Sequence, residues 1–133
     1  MYVRIYYEDT DAGGVVYHAN YLRYFERART EYLRERGVSV SELATRGHIL
    51  PVVRVEIDYR APAVYDDLLR IETNLLEMGK TSFTVGQQAI RASDGKLLVD
   101  CKIKFVSVNQ KMKAHRLPEE IIQTFNSELE EER

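Results

Sequence analysis

Residues 20–37 have the spacing of a long amphipathic helix, and this constrains the fold more than any other stretch of the sequence. Apolar side chains recur there at intervals of three and four residues, with charged side chains between them. The apolar positions are Tyr21, Tyr24, Phe25, Ala28, Tyr32 and Leu33. Asn20 is the expected N-cap, and Gly37 is the expected stop after the last turn. Such a helix needs a large apolar surface to pack against.

Most of the remaining chain alternates with the period of β-strands. Strands are predicted at residues 3–8, 53–60, 67–78, 81–91 and 97–108. In the first of them, the alternation points Tyr7 inward. Turn residues separate the last three strands, which predicts an antiparallel meander. The fold class is therefore α+β, with the long helix packed across one face of a curved antiparallel sheet.

Two shorter helices complete the expected elements. Ser39 and Glu42 have capping-box spacing, which predicts a short helix up to Arg46. Pro118 is expected to begin a short terminal helix, and the end of the chain is expected to fray from about residue 127. At 133 residues, the sequence is expected to form a single domain over 1–133.

The charge balance excludes several classes of partner. The chain has 19 basic and 21 acidic residues, so no broad cationic field favours nucleic acid or an anionic membrane. Cys101 is the single cysteine, which excludes an intrachain disulfide and a cysteine-rich zinc site. With no signal peptide and no membrane span in the sequence, we expect a soluble cytoplasmic protein.

A loop over residues 8–14 contains the residues of greatest chemical interest. Asp9 and Asp11 could both bind a hard cation, but Asn20 occupies the position where an EF-hand loop needs its bidentate glutamate. We therefore expect no metal. A carboxylate just before a helix N-terminus can instead act as a base or nucleophile beside N–H groups that stabilise negative charge. By spacing alone, the more common interpretation is that Asp9 and Asp11 are turn residues.

The whole segment favours the chemical interpretation. Residues 7–21, YEDTDAGGVVYHANY, followed by FERAR at 25–29, resemble the signature of hotdog-fold acyl-CoA thioesterases of the YbgC branch, related to 4-hydroxybenzoyl-CoA thioesterase. The 4-hydroxybenzoyl-CoA enzymes usually have D-x-D-P-A-G where this chain has DTDAGG, and this difference, with His18, favours the YbgC-like branch. The resemblance implies the hotdog fold, in which a five-stranded antiparallel sheet wraps around a long central helix.

The resemblance also assigns roles to individual residues. The catalytic carboxylate falls on Asp11, the carbonyl-polarising backbone N–H falls on His18, and Asp9 is expected to fix the loop. The expected catalytic residues are Asp11, His18 and Tyr7, and the expected substrate contacts are Val16, Tyr17, Lys80, Thr81 and Ser82. Whether Asp11 attacks the thioester or activates water stays open, as does the role of the His18 imidazole.

The turn over residues 79–83 corresponds to the place where related enzymes hold the nucleotide end of CoA. Lys80 could pair with a phosphate, and Thr81 or Ser82 could donate hydrogen bonds to it. The expected substrate is an acyl-CoA with a short aliphatic or an aromatic acyl group, and no separate cofactor is needed. The resemblance implies a homo-oligomer, either a dimer or a tetramer built as a dimer of dimers.

Three alternatives have to be compared with this interpretation. Cys101 is a rival nucleophile, although alternation places it on the apolar face of a strand, where a structural role is more common. The chain could be a non-catalytic hotdog domain that binds acyl or aromatic ligands. It could also be a hotdog hydratase or dehydratase, an alternative that Glu26 on the helix keeps open. His48 and His115 are read as loop or surface residues.

Overall fold

The computed structural model describes residues 1–131, with the side chains of residues 1–128. The elements are β1 (Tyr2–Arg4), a 3-10 turn (Tyr7–Asp9), α1 (Asn20–Glu35), α2 (Val40–Thr45), β2 (Val52–Tyr59), β3 (Leu68–Met78), β4 (Ser82–Arg91), β5 (Leu97–Val106) and α3 (Glu119–Glu131). No described helix is both long enough and apolar enough to span a membrane. The terminal helix α3 is longer than the short helix expected. Of the tail expected to fray, residues 132 and 133 lie outside the described residues.

The strands form one antiparallel sheet in the order β1-β3-β4-β5-β2. The last three strands form the predicted meander, with Val85 of β4 paired to Leu75 on one side and Ile103 on the other. Helix α1 packs on one face of this sheet. The predicted α+β class and the five-stranded hotdog architecture are both confirmed.

Burial of α1 on the sheet forms the core. Its buried side chains are Tyr21, Tyr24, Phe25, Ala28 and Leu33. A fully buried glutamine fixes the middle of the helix: Nε2 of Gln87 on β4 donates to the Phe25 carbonyl at 2.8 Å and to Oγ1 of Thr73 at 3.1 Å. Helix α1 is therefore held to the sheet by apolar burial and by a specific buried hydrogen bond.

The first strand is shorter than predicted. It ends at Arg4, and Tyr7 lies in the 3-10 turn with 82% of its surface exposed, so the prediction that Tyr7 points inward is wrong. The cause is local, because the Asp9 carboxylate accepts a hydrogen bond from the Tyr6 N–H at 2.8 Å and turns the chain away from the sheet. Ile5 is the last residue before this turn that is buried.

The two ends of α1 differ in how well they were predicted. Gly37 follows the helix with φ of +82°, which matches its expected role as the stop. Asn20 is not the N-cap: Ala19 occupies that position, and Asn20 begins the helix. Its side-chain amide instead donates to the Asp9 carbonyl at 3.2 Å, which ties the loop to the helix.

Strand β2 forms one edge of the sheet and is exposed on both faces except at Ile57, which is half-buried against the core. Its exposed apolar side chains are Val52, Val53, Val55 and Tyr59. The sequence pattern predicted one buried face. That face stays largely exposed because β2 pairs only with β5 in the described chain and α1 packs over the inner strands of the sheet. An exposed apolar edge strand is a typical site of association with another chain.

Replacing Phe25 by alanine tests how far the fold depends on α1. Phe25 is fully buried, so Phe25→Ala should lower the free energy of unfolding by about 3–5 kcal/mol through lost burial and a new cavity. Arg27→Ala, on the exposed side of the same helix, should change it by about 0.5 kcal/mol or less. Urea unfolding at one fixed protein concentration measures both, and equal effects would contradict this account of the core.

Candidate active site

Asp9 organises the loop between β1 and α1. Its carboxylate accepts a hydrogen bond from the Tyr6 N–H, and its carbonyl accepts hydrogen bonds from the Tyr17 N–H at 2.9 Å and from the Asn20 amide. Three points of the loop therefore converge on one residue. These contacts agree with the expectation that Asp9 fixes the loop.

Asp11 lies in the same loop but is more exposed to solvent. Its Oδ1 accepts a hydrogen bond from the Gly13 N–H at 2.8 Å, and its own N–H donates to the Val15 carbonyl at 2.8 Å. The turn closes through Gly14, whose φ of +80° favours glycine. Oδ2 of Asp11 makes no hydrogen bond within residues 1–131, so one carboxylate oxygen can face a reactant.

Asp11 and His18 line the same surface pocket, which has a volume of about 270 Å³. The other lining residues are Val15, Val16, Tyr21, Tyr59, Ala61 and Pro62. The Tyr59 hydroxyl donates to the His18 carbonyl at 2.9 Å, and the two rings meet edge to face with centroids 6.2 Å apart. Strand β2 therefore holds the entrance of α1 in place.

The His18 backbone N–H is a candidate donor to a substrate oxygen. It makes no hydrogen bond within the described part of the chain, and it lies just before the first turn of α1. Unpaired N–H groups at a helix start carry partial positive charge. The pocket thus combines a group that can polarise a carbonyl with a carboxylate that can attack it or activate water.

Two tyrosines in this pocket were not predicted as site residues. Tyr21 accepts a hydrogen bond from the Ala63 N–H at 3.3 Å, and burial raises the pKa of its hydroxyl. Burial likewise raises the pKa of Tyr59. Both hydroxyls therefore stay protonated near neutral pH. The inward position of each in its sequence pattern was the available signal. Tyr21 is three residues from His18 in the sequence, but only tertiary packing brings Tyr59 beside His18.

The other residues predicted near Asp11 are only partly gathered around it. Val16 is buried and lines the pocket, and Tyr17 lies against His18 with ring centroids 4.6 Å apart. Tyr7 does not line the pocket, and its ring instead meets Tyr65 with centroids 6.5 Å apart. Glu26, on which the hydratase alternative depended, lines a different cavity from Asp11.

The expected CoA turn lies at the opposite end of the sheet from Asp11. Val99 of β5 pairs with Tyr59 on one side and with Ala89 on the other, so Ala89 is level with Tyr59, which lines the Asp11 pocket. Thr81 precedes Ala89 by eight residues, which corresponds to about 27 Å along an extended strand. A single protomer therefore does not bring the two groups of predicted residues together.

A cationic residue missed by the sequence reasoning lies beside this turn. Lys80, Thr81 and Arg116 line a pocket of about 600 Å³, and the Leu117 N–H donates to the Lys80 carbonyl at 3.0 Å. Ser82 does not line this pocket, and its carbonyl accepts the Gly79 N–H at 2.7 Å to close the turn. Arg116 is distant from Lys80 in the sequence and belongs to no recognisable motif, so only the fold reveals that the two residues line one pocket.

Cys101 lies on the buried face of β5, as its alternation predicted. It is 1% exposed, and burial raises the pKa of its thiol to about 11. The thiol is therefore almost entirely protonated near neutral pH, when the thiolate is the form that attacks. Its position in the core opposes a role as nucleophile.

His48 and His115, read from the sequence as separate loop or surface residues, are partners. Nδ1 of His48 and Nε2 of His115 are 3.2 Å apart, in a partly buried hydrogen bond. The two residues are far apart in sequence, which is why no pattern revealed the pair. Within the residues that the structure describes, no group of three or more His, Cys, Asp or Glu side chains is arranged to hold a metal ion.

Known proteins are similar to this chain in both sequence and fold. The model of the thioesterase-like superfamily matches residues 5–125. The chain is 43% identical over 124 residues to an acyl-CoA thioester hydrolase YbgC of Escherichia coli O6:H1, covering 92% of each chain. It is 42% identical over 126 residues to an acyl-CoA thioesterase YbgC of Haemophilus influenzae, covering 93% of this chain and 91% of the relative.

A solved structure gives the same result. The crystal structure of a probable thioesterase from Bartonella henselae superposes with a TM-score of 0.82 at 36% identity, covering 89% of this chain and 97% of that one. The sequence match extends over the Asp11 loop, α1 and strands β2 to β5 of the sheet. The chain therefore belongs to the thioesterase-like superfamily and is a thioester hydrolase with the hotdog fold.

Proposed function

We propose that this protein hydrolyses acyl-CoA thioesters at the pocket lined by Asp11 and His18. The observation that carries the proposal is that a carboxylate and a helix-start N–H with no acceptor among the described residues border one pocket. The named activities of the relatives are of the same kind. Two expectations from the sequence stay predictions, namely a cytoplasmic location and a reaction that needs no metal or cofactor.

In the proposed reaction, the thioester carbonyl oxygen accepts a hydrogen bond from the His18 N–H. Negative charge grows on that oxygen as a nucleophile attacks, and the donor and the helix dipole stabilise it. The nucleophile is either Asp11, which forms an acyl-enzyme anhydride that water then cleaves, or a water molecule that Asp11 deprotonates. In both routes CoA leaves as the thiol and the acyl group leaves as a carboxylic acid.

We further propose that two copies pair through the edge of β2. This edge has no strand beside it in the described chain, and four of its seven exposed side chains are apolar. Pairing would satisfy the unpaired backbone groups and cover the apolar side chains. A dimer of such dimers is the expected tetramer.

Pairing of this kind would also explain the separation of Asp11 from the expected CoA turn. In an antiparallel β2 pair, the Tyr59 end of one strand lies beside the Val52 end of the other. The Lys80 turn of the second copy then reaches the same end of the continuous sheet as Asp11 of the first. At about 4.8 Å per strand, the two would be separated by roughly 15 Å.

Lys80 and Arg116 are the groups we propose for the CoA phosphates. Both are exposed, both line the pocket at the turn, and neither pairs with a carboxylate within the described residues. Thr81 can add a hydroxyl donor there. The acyl group proposed is a short aliphatic or an aromatic one.

The variant Asp11→Asn tests the proposed catalytic group. Asparagine keeps the Oδ1 acceptor for the Gly13 N–H but removes the charge, so the loop should persist while turnover falls about 100-fold or more. Thiol release from a panel of aliphatic and aromatic acyl-CoAs measures turnover, and thermal unfolding checks the fold.

The matched control is Asp9→Asn, which makes the same change two residues away. Asp9 holds the loop through an oxygen that asparagine retains, so turnover should stay within about threefold of the parent. Parental turnover in Asp11→Asn would contradict the assignment, and loss of turnover in both variants would mean that loop order limits the reaction.

Association through β2 is tested by light scattering. The parent protein should have at least twice the chain mass of 15.5 kDa. Val55→Lys places a charge on the exposed apolar face of β2 and should shift the mass toward a monomer, whereas Glu119→Lys on α3 should not. A monomeric parent at working concentration would refute the dimer.

The cationic turn predicts salt-sensitive CoA binding. Lys80→Ala and Arg116→Ala should each weaken the Kd for CoA about two- to fivefold, since both charges are exposed, and raising salt should weaken parental binding. Lys96→Ala, in the other hairpin, should leave the Kd unchanged. Titration calorimetry at low and high salt measures these values, and a CoA affinity that neither variant alters would place the phosphates elsewhere.

A further inference from the structure

A second cavity lies beneath the C-terminal half of α1. Its volume is about 170 Å³, and none of its lining residues borders the Asp11 pocket. Its walls are mostly apolar and include Leu33, Val40, Leu50, Leu75, Phe83 and Phe105. A dry apolar cavity of about 150 Å³ in a protein binds benzene. By that measure, this cavity has room for about six carbon atoms.

One cation lines this mostly apolar space, which Glu26, Thr30 and Thr73 also border. Arg29 is half buried, with its guanidinium carbon 5.0 Å from the centroid of the Phe105 ring. It makes no hydrogen bond or ion pair with a carboxylate within the described residues, and the nearby Glu26 carboxylate instead accepts a bond from the Thr30 hydroxyl at 3.4 Å. Burial lowers the pKa of Arg29, although a guanidinium stays charged at neutral pH.

A half-buried guanidinium without a carboxylate partner leaves strong hydrogen-bond donors unmatched. Its planar array of N–H groups fits a carboxylate in a bidentate arrangement, which is the strongest pairing available to it. Glu26 is exposed to solvent, so water screens its repulsion of an incoming anion. The ligand that best matches this cavity is therefore a short apolar chain that ends in a carboxylate.

We propose that this cavity receives the far end of the acyl group and that Arg29 selects acyl groups of about six carbons that end in a carboxylate. The inference rests on the proposed thioesterase function and on the β2 pairing. Val52 borders the cavity, and the antiparallel pairing brings the Val52 end of β2 beside the partner's Asp11 pocket. The acyl chain then enters beneath α1 of one copy while the thioester is cleaved in the pocket of the other.

The test compares adipyl-CoA with hexanoyl-CoA, which have the same chain length and differ in the terminal carboxylate. Arg29→Met keeps an unbranched side chain, although a shorter one, and removes the charge, so it should lower the adipyl-to-hexanoyl ratio of kcat/KM at least tenfold. Arg27 is an exposed arginine on the same helix, and Arg27→Met should leave the adipyl-to-hexanoyl ratio within about twofold of the parent value. Arg29→Lys should restore part of the ratio and serves if Arg29→Met fails to fold. An unchanged ratio in both Arg29 variants overturns the inference.

A second measurement does not depend on hydrolysis. Sodium hexanoate should bind the parent protein at least tenfold more tightly than it binds Arg29→Met in titration calorimetry, because its carboxylate can reach the guanidinium while its chain fills the cavity. If hexanoate binds in this way but no acyl-CoA is hydrolysed, the proposed function fails and the cavity assignment stands. If acyl-CoAs are hydrolysed but Arg29→Met changes neither the ratio nor hexanoate binding, the cavity assignment fails alone.

Discussion

Burial of α1 against the sheet is the interaction on which the remaining structure depends. The helix contributes aromatic side chains that fill the core, and the Gln87 amide fixes its register by binding the Phe25 carbonyl. A buried polar contact of this kind specifies one position of the helix, which apolar packing alone would leave free to slide. Because the helix is fixed, its first turn is fixed too. The direction of the N–H groups at that turn, and with it the placement of His18, follows from the core.

The pocket at the start of α1 is ordered before any substrate arrives. Asp9 binds the loop at three points, and the Tyr59 hydroxyl holds the His18 carbonyl from the sheet side. Donors that are already oriented need little rearrangement when charge develops on a substrate, which is the physical basis of electrostatic catalysis. The two aspartates of the loop thus differ: Asp9 gives the loop its shape, and Asp11 lines the pocket, where we propose that it acts on the thioester.

The edge strand β2 explains why one chain is an incomplete enzyme in our interpretation. It carries Tyr59 into the Asp11 pocket and Val52 to the rim of the cavity that contains Arg29. Its opposite ends therefore border two sites that lie far apart in one protomer. Antiparallel pairing with a second copy would bring the Asp11 pocket of one copy beside the Arg29 cavity of the other, because it places the Tyr59 end of one β2 strand next to the Val52 end of its partner. In this proposal, two short chains together bind a substrate that is too long for a site within one copy.

The sequence by itself determined the helix, the meander and the identity of the Asp11 loop, because these depend on local periodicity and on a contiguous motif. It did not determine that Tyr7 turns outward, since a hydrogen bond from the Tyr6 N–H to Asp9 overrides the alternation. Tertiary structure alone brought Arg116 to the Lys80 turn, paired His48 with His115, and placed Arg29 over an apolar cavity. Each of these contacts joins residues distant in sequence. Sequence periodicity assigns a side chain to a face of its own element, but it carries no information about which residues of other elements meet that face.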